Sequence, residues 1–328
     1  MNDTQPVRLG IIGLGAVGQW VLNALLRDAE RFDLQLVAAA DRGGLVHRTE
    51  GLPIGELLDV KAAEASLATV DGVEHWVSTL DALREIDIDI LIEVSLSPPD
   101  GEPGLSHIRA ALTRGIAVAT SNKWPVAVAG TELVELARDN ATRLRAESTV
   151  MSGTPVLSTL TEGIAGATPL RLRGVVNATV NFICSRVAEG STYEGALREA
   201  QMIGLAEPDP SADVEGHDSV SKLMVLAGLV FGIQLTVDDV VRRGLAQRRP
   251  QPGDRVREVM SLDPHDGCFR VDAREIPSDD PLARIENATN AIIAEVDPIG
   301  EITIAGPGAG PALAGQGVYS DVLRLATS

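Results

Sequence analysis

Short apolar runs alternate with segments of helical periodicity through the first third of the chain. Val7 to Ile12, Leu34 to Ala40, Ile88 to Val94 and Ile116 to Thr120 are unbroken enough to read as strands buried on both faces. Between them Val17 to Leu26, Leu105 to Thr113 and Gly130 to Asn140 read as helices, and Arg143 to Ser148 as a last strand. This rhythm predicts an α/β fold, a doubly wound parallel sheet over residues 1–149.

After Ser152 the pattern changes. A turn marked by Gly153 and Pro155 leads into an apolar helix ending near Ala165, then a strand over Leu170 to Asn177 and helices from Asn181 and over Ser191 to Met202. A polar, acidic loop precedes a helix that starts at Val214 or Gly216, and strands are expected between Thr236 and Ala305. This predicts a second, α+β domain over residues 150–305. The segment from Gly306 to Gly310 precedes a helix-like stretch, Ala314 to Leu325. Two readings of it stand: a turn before a terminal helix, or a tail, residues 306–328, that folds back to complete the first domain.

Charge and composition narrow the function. A formal net charge of −18 leaves no basic surface for neutralising phosphates, which argues against nucleic-acid binding. The longest apolar run, Leu223 to Leu235, is too short to span a bilayer, and MNDTQPVRLG lacks the basic segment and apolar core of a secretory signal. Cys184 and Cys268 have no metal or redox spacing. A cytoplasmic protein acting on small molecules is the expectation. Arginine supplies nearly all the positive charge, lysine occurring only at Lys61, Lys123 and Lys222.

Gly13, Gly15 and Gly18 form G-x-G-x-x-G between a strand and a helix, the context in which the spacing gives a tight turn, close approach of a pyrophosphate and helix packing. The first helical amides, from Ala16 and Val17 onward, would face the phosphates. Asp41 closes the second predicted strand, where a carboxylate can accept hydrogen bonds from a ribose, favouring NAD; Arg42 beside it could instead receive the 2′-phosphate of NADP. Asp218 and Lys222, four apart, share a helix face at the entrance to an all-apolar helix, so the pair is expected to be at least partly buried. A structural ion pair is one reading. The other is acid–base chemistry, for which a lysine enclosed by apolar residues suits the removal of an alcohol proton.

Four separated stretches together resemble the homoserine dehydrogenase family: the Gly13–Gly18 loop; Gly104 to Ala111 with Ser121, Asn122, Lys123 and Pro125; Glu147 to Val150 with Gly153 and Pro155; and Gly174 to Asn177 with Thr179 and Asn181. The run from Gly204 through Glu207, Asp209, Pro210, Asp213, Gly216 and Asp218 to Lys222 is the most specific. The resemblance implies a Rossmann-type first domain, a second domain that also dimerises, and interconversion of L-homoserine and L-aspartate 4-semialdehyde with NAD or NADP. It implies Lys222 as proton donor and acceptor, Lys123 as a second catalytic lysine beside the nicotinamide, and Asp218 in the catalytic set. Glu207, Asp213, Asn177 and Thr179 would hold substrate. Ser95, Lys123, Gly204, Gly308 and Gly310 would join the glycine loop around the cofactor. Backbone carbonyls at Glu147, Val150, Ser152 and Thr154 would hold a sodium ion, and the protein would be a homodimer without an appended regulatory domain.

The chain departs from the family pattern at Ala178, usually glycine, at Trp124, commonly small, and in a shortened stretch from Ser95 to Pro99. These positions keep open a related dehydrogenase with a different small polar substrate. A silent nucleotide-binding sensor is the other alternative; two lysines retained in motifs of so lysine-poor a chain argue against it.

Overall fold

The structure, a computed structural model, describes residues 5–327. These form two compact units, one of residues 5–149 with 310–327 and one of Val150–Ala309.

The first unit is built on a seven-stranded sheet of β1 (Val7–Ile12), β2 (Leu34–Asp41), β3 (Gly44–His47), β4 (Glu74–Trp76), β5 (Ile90–Glu93), β6 (Ala117–Thr120) and β7 (Leu144–Arg145), in the order β4-β3-β2-β1-β5-β6-β7. The strands from β2 through β7 in that order are parallel, whereas β3 and β4 add an antiparallel edge. Both faces of the sheet are covered. Leu9 and Ile11 join Val21 and Leu22 of the helix Ala16–Arg27 and Val318 and Val322 of the helix Pro311–Ala326. Ile12 packs on the other side with Ile108, Leu112 and Leu133. That double burial is why these strands are continuous apolar runs.

The terminal helix is seated closely: a Cβ at Gly315 would lie 2.7 Å from the Trp20 ring. The tail expected to join this unit is shorter than residues 306–328, because Gly306 and Pro307 end a strand of the second unit. The helix expected from Gly130 is present, and a kink at Ala129, φ −140°, joins it to a preceding helical segment from Lys123 that was not expected. Pro125 falls in its first turn, where a missing N–H costs no intrahelical bond, so the proline does not exclude those residues from the helix. The expected strand over Arg143 to Ser148 shrinks to Leu144–Arg145, because a short helix, Ser148–Met151, takes over.

The second unit contains a six-stranded sheet of β8 (Thr168–Val175), β9 (Val241–Arg243), β10 (Val256–Asp263), β11 (Cys268–Glu275), β12 (Thr289–Asp297) and β13 (Gly300–Pro307), in the order β13-β12-β8-β10-β11-β9. All neighbours are antiparallel except β11 and β9. Val256 and Ala273 pack beneath Ile183 and Val187 of the helix Ala178–Ala188 and Ala196 of the helix Tyr193–Met202. The helix expected from Asn181 thus begins at Ala178, since the Asn177 side chain accepts the Val180 N–H at 2.9 Å and caps it. The helix His217–Phe231 is buried without interruption from Ser219 to Gly228, as the apolar run from Leu223 onward requires. The apolar helix expected to end near Ala165 is present but short, its α-helical start at residues 157–158 running into a π turn, Thr159–Gly163. Among the described residues no helix is long and apolar enough to cross a membrane.

Candidate active site

In the second unit, the first turns of the helix His217–Phe231 meet the end of β8. Lys222 is 7 % exposed. Its ammonium lies 2.8 Å from Asp218 Oδ2 and donates to the Val176 carbonyl at 2.6 Å. The Asn177 amide donates to Asp218 Oδ2 at 3.0 Å and to Asp213 Oδ1 at 2.8 Å, so one asparagine ties two carboxylates to the helix that it caps. A buried cation, two acids and an amide, drawn from two neighbouring helices and the chain just after β8, thus share one cluster, which charge pairing stabilises against loss of solvent.

The other expected substrate residues lie apart from this network. Thr179 donates its hydroxyl to the Leu205 carbonyl at 3.0 Å and so ties the loop carrying Gly204 and Glu207 to the helix start. Glu207 is exposed, and its carbonyl accepts from Gln201. Gly204 has φ +72°, with open space where a Cβ would stand. Ala178 is buried as the first residue of its helix.

Two residues of this cluster carry no signal in the sequence pattern. Asn290, wholly buried on β12, donates to the same Val176 carbonyl at 2.8 Å. Glu258, buried on β10, accepts the Ser219 hydroxyl at 2.6 Å beside the cluster. Burial and the nearby anions Asp218 and Asp213 push its carboxyl up to about 8, against the opposing hydrogen bond from Ser219.

In the first unit the glycines divide by role. A Cβ at Gly18 would fall 2.0 Å from the Gly13 carbonyl, and one at Gly13, at φ +102°, would strike Val94 at 2.6 Å; these two keep the turn against β1 and β5. Gly15 faces open space. It precedes the helix Ala16–Arg27 without any side-chain cap, leaving the amides of the first turn, Ala16 and Val17 among them, directed outward. Donors, dipole and clearance suit a dinucleotide pyrophosphate.

The rim of this cradle is polar and buried. Glu93, at the end of β5, accepts from Ser95 and from the Asn122 amide at 2.9 Å, and Asn122 also reaches Ser97 at 2.7 Å. Asn122 thereby fixes the start of the helix whose first residue is Lys123. A lysine there opposes the helix dipole, which is a poor choice for stability alone. Trp124 is half-buried beside it. Asp41 is already engaged: Oδ1 accepts the Gly43 N–H at 2.8 Å and Oδ2 pairs with Lys61 at 2.8 Å. Lys61, some twenty residues beyond Asp41, was not foreseen, while Arg42 is exposed.

Around the expected sodium turn, the Glu147 N–H donates to Asp321 at 2.9 Å in the first unit. In the second, Ser152 has φ +50° and donates to the Gly308 carbonyl at 3.2 Å, and Thr154 donates to that of Pro307 at 3.1 Å. Val150 is buried. A Cβ at Gly308 would lie 1.9 Å from Asn290 Nδ2, so protein contact alone already demands glycine there; Gly310, at φ +124°, precedes the last helix. Among the described residues no group of three or more His, Cys, Asp or Glu side chains could hold a metal ion.

Family models match most of the chain. "Homoserine dehydrogenase, NAD binding domain" covers residues 13–147 and "Homoserine dehydrogenase" residues 155–323. An NAD(+)-dependent homoserine dehydrogenase of Pseudomonas canavaninivorans is 33 % identical over 97 % of this chain and 96 % of its own. The homoserine dehydrogenase of Methanocaldococcus jannaschii is 29 % identical over 97 % and 98 %. A hyperthermophilic archaeal homoserine dehydrogenase solved with NADPH superposes with a TM-score of 0.86 at 30 % identity, covering 98 % of each chain. Two family models that together cover most of the chain, and relatives matched over nearly their full lengths in sequence and in fold, agree: the chain belongs to the homoserine dehydrogenase family.

Proposed function

We propose that this NAD(P)-dependent oxidoreductase interconverts L-homoserine and L-aspartate 4-semialdehyde with Lys222 as its acid–base group. The observation that carries the reading is the buried ammonium held 2.8 Å from Asp218. In the oxidative direction Lys222, once its ammonium has given up a proton, takes the hydroxyl proton as the neutral amine while hydride leaves the carbon that bears the hydroxyl. A bound nicotinamide supplies the hydride acceptor. Asp218 stabilises the protonated lysine that results, and Asn177 fixes the carboxylate that does so. Glu207, Asp213 and Thr179 position the amino-acid end of the substrate, with Glu207 answering its ammonium. Lys123 serves as the second catalytic lysine.

Gly15 and the amides that follow would hold the pyrophosphate, and Ser95, Gly204, Gly308 and Gly310 would complete the cofactor contacts. Asp41 takes the adenosine ribose and makes NAD the preferred form. Lys61 neutralises part of the Asp41 charge and, with Arg42, keeps NADP usable. A monovalent cation on carbonyls of the turn from Glu147 to Thr154 fits hard oxygen donors. The protein works as a cytoplasmic homodimer through the second unit, whose edge strand β13 offers unpaired backbone groups.

Initial rates of nicotinamide reduction with L-homoserine, L-serine and L-threonine, each with NAD and with NADP, test the assignment. Homoserine should give the highest kcat/KM and NAD the better cofactor. Equal or better rates with another hydroxy amino acid would move the substrate assignment to Ala178 and Trp124. Light scattering on the eluting protein tests the dimer.

A further inference from the structure

The second unit contains a cavity of about 410 Å³ that shares no residue with the Lys222 cluster. It lies between the end of the helix Ala178–Ala188, the start of β10 and the segment after β11, and its charged lining is Arg255, Arg257, Arg284, Glu189 and Glu286. The volume falls within the range of small-molecule sites, roughly 300–1,000 Å³.

Arg257 is the unusual member. Its side chain is 5 % exposed, and a guanidinium stays charged in a protein interior. Buried charges are normally matched by an opposite charge. Here the partners are three backbone carbonyls: Ile285 at 3.2 Å, Val256 at 3.0 Å and Ala283 at 3.4 Å. An arginine has five N–H donors, so this arrangement orients the guanidinium and leaves donors on Nη1 and Nη2 over. Arg255 and Arg284 stand exposed on the same cavity and form no ion pair with a carboxylate among the described residues.

The acids do not balance this charge. Glu189 is paired with Arg186 at 2.8 Å, leaving Glu286, at the exposed rim, to face three guanidinium groups. In a chain of net charge −18 the cavity is a local positive surplus. Ser278 adds a hydroxyl at the mouth.

We propose that this cavity is a second ligand site, separate from the catalytic cluster, which binds a small oxyanion, a carboxylate or a phosphate, between Arg257, Arg255 and Arg284. Arginine is suited to both because its planar donors match either group in pairs. Arg257 supplies the fixed, partly desolvated donors, and the two exposed arginines close on the anion from solvent.

The test is isothermal titration of the full-length protein, saturated with NAD so that the dinucleotide cradle is filled. Inorganic phosphate and acetate are titrated separately at constant ionic strength against a chloride control. Saturable binding of either anion is expected, and which of the two saturates identifies the chemistry. Arg255→Gln and Arg284→Gln, both exposed and therefore expected to fold, should each weaken binding about tenfold while homoserine turnover stays unchanged. Heats no different from chloride for both anions, or equal affinity in the wild type and both variants, would overturn the proposal.

Discussion

Glu258→Gln should make the protein more stable at alkaline pH, by an amount the structure sets. The carboxyl is buried and its proton affinity is raised from an ordinary value of 4.5 to about 8, chiefly by loss of solvent. Oε1 accepts from Ser219, while Oε2 has no hydrogen-bond partner among the described residues. Between pH 4.5 and 8 the unfolded chain therefore releases a proton that the folded chain retains. The unfolded state binds fewer protons in that window, so stability falls as pH rises through it, and below 4.5 the penalty is absent. At 1.36 kcal/mol per unit, the gap corresponds to about 5 kcal/mol once pH exceeds 8.

Glutamine keeps an oxygen for Ser219 and cannot ionise. Urea unfolding of the wild type and Glu258→Gln, measured from pH 5 to pH 9, should give curves that nearly coincide at the acid end. Toward the alkaline end they should diverge by several kcal/mol in favour of the variant. Parallel pH dependences across the range would refute the reasoning and mean that Glu258 ionises in the fold as it does in water.

The glycine cradle makes a paired prediction: Gly18→Ala should lower the melting temperature by several degrees, because its Cβ would meet a backbone carbonyl at 2.0 Å. Gly15→Ala should leave melting of the free protein nearly unchanged and raise the KM for the cofactor, since only open space surrounds that position. Asp41→Ala should release Lys61 from its 2.8 Å ion pair and shift the ratio of kcat/KM values toward NADP by about tenfold, read from initial rates with both cofactors. Glu207→Gln should raise the KM for homoserine about tenfold and leave the cofactor KM unaffected, as expected for loss of a charged partner of the ammonium.

How much of the fold and site was legible in the sequence depended on whether a residue's role is local. Strands buried on both faces and the helix His217–Phe231 were plain, because an uninterrupted apolar run must be enclosed by protein to be stable in water. Asp218 and Lys222 could be paired from spacing alone, since four residues is about one helical turn. The helical segment from Lys123 to the kink at Ala129 was not among the expected helices, and a proline in its first turn leaves little helical pattern to read there. Strands β3 and β4 were missed because four and three residues are too few for an apolar periodicity to show, although β3 is largely buried between β2 and β4. Asn290 and Glu258 were invisible for a different reason: they come from β12 and β10, and only the order of strands brings them to the helix carrying Lys222. Lys61 belongs with them, its link to Asp41 depending on how the chain returns after β3.

The most decisive measurement is homoserine-dependent turnover of Lys222→Ala, taken together with the dissociation constant for NAD. A lost acid–base group should lower kcat by about 10²–10⁴-fold. Cofactor affinity should stay within about twofold, because the Gly13–Gly18 cradle is built in the other unit. Turnover within a few-fold of the wild type, in a variant that is folded and binds NAD, would mean that the ammonium beside Asp218 does not move the substrate's proton.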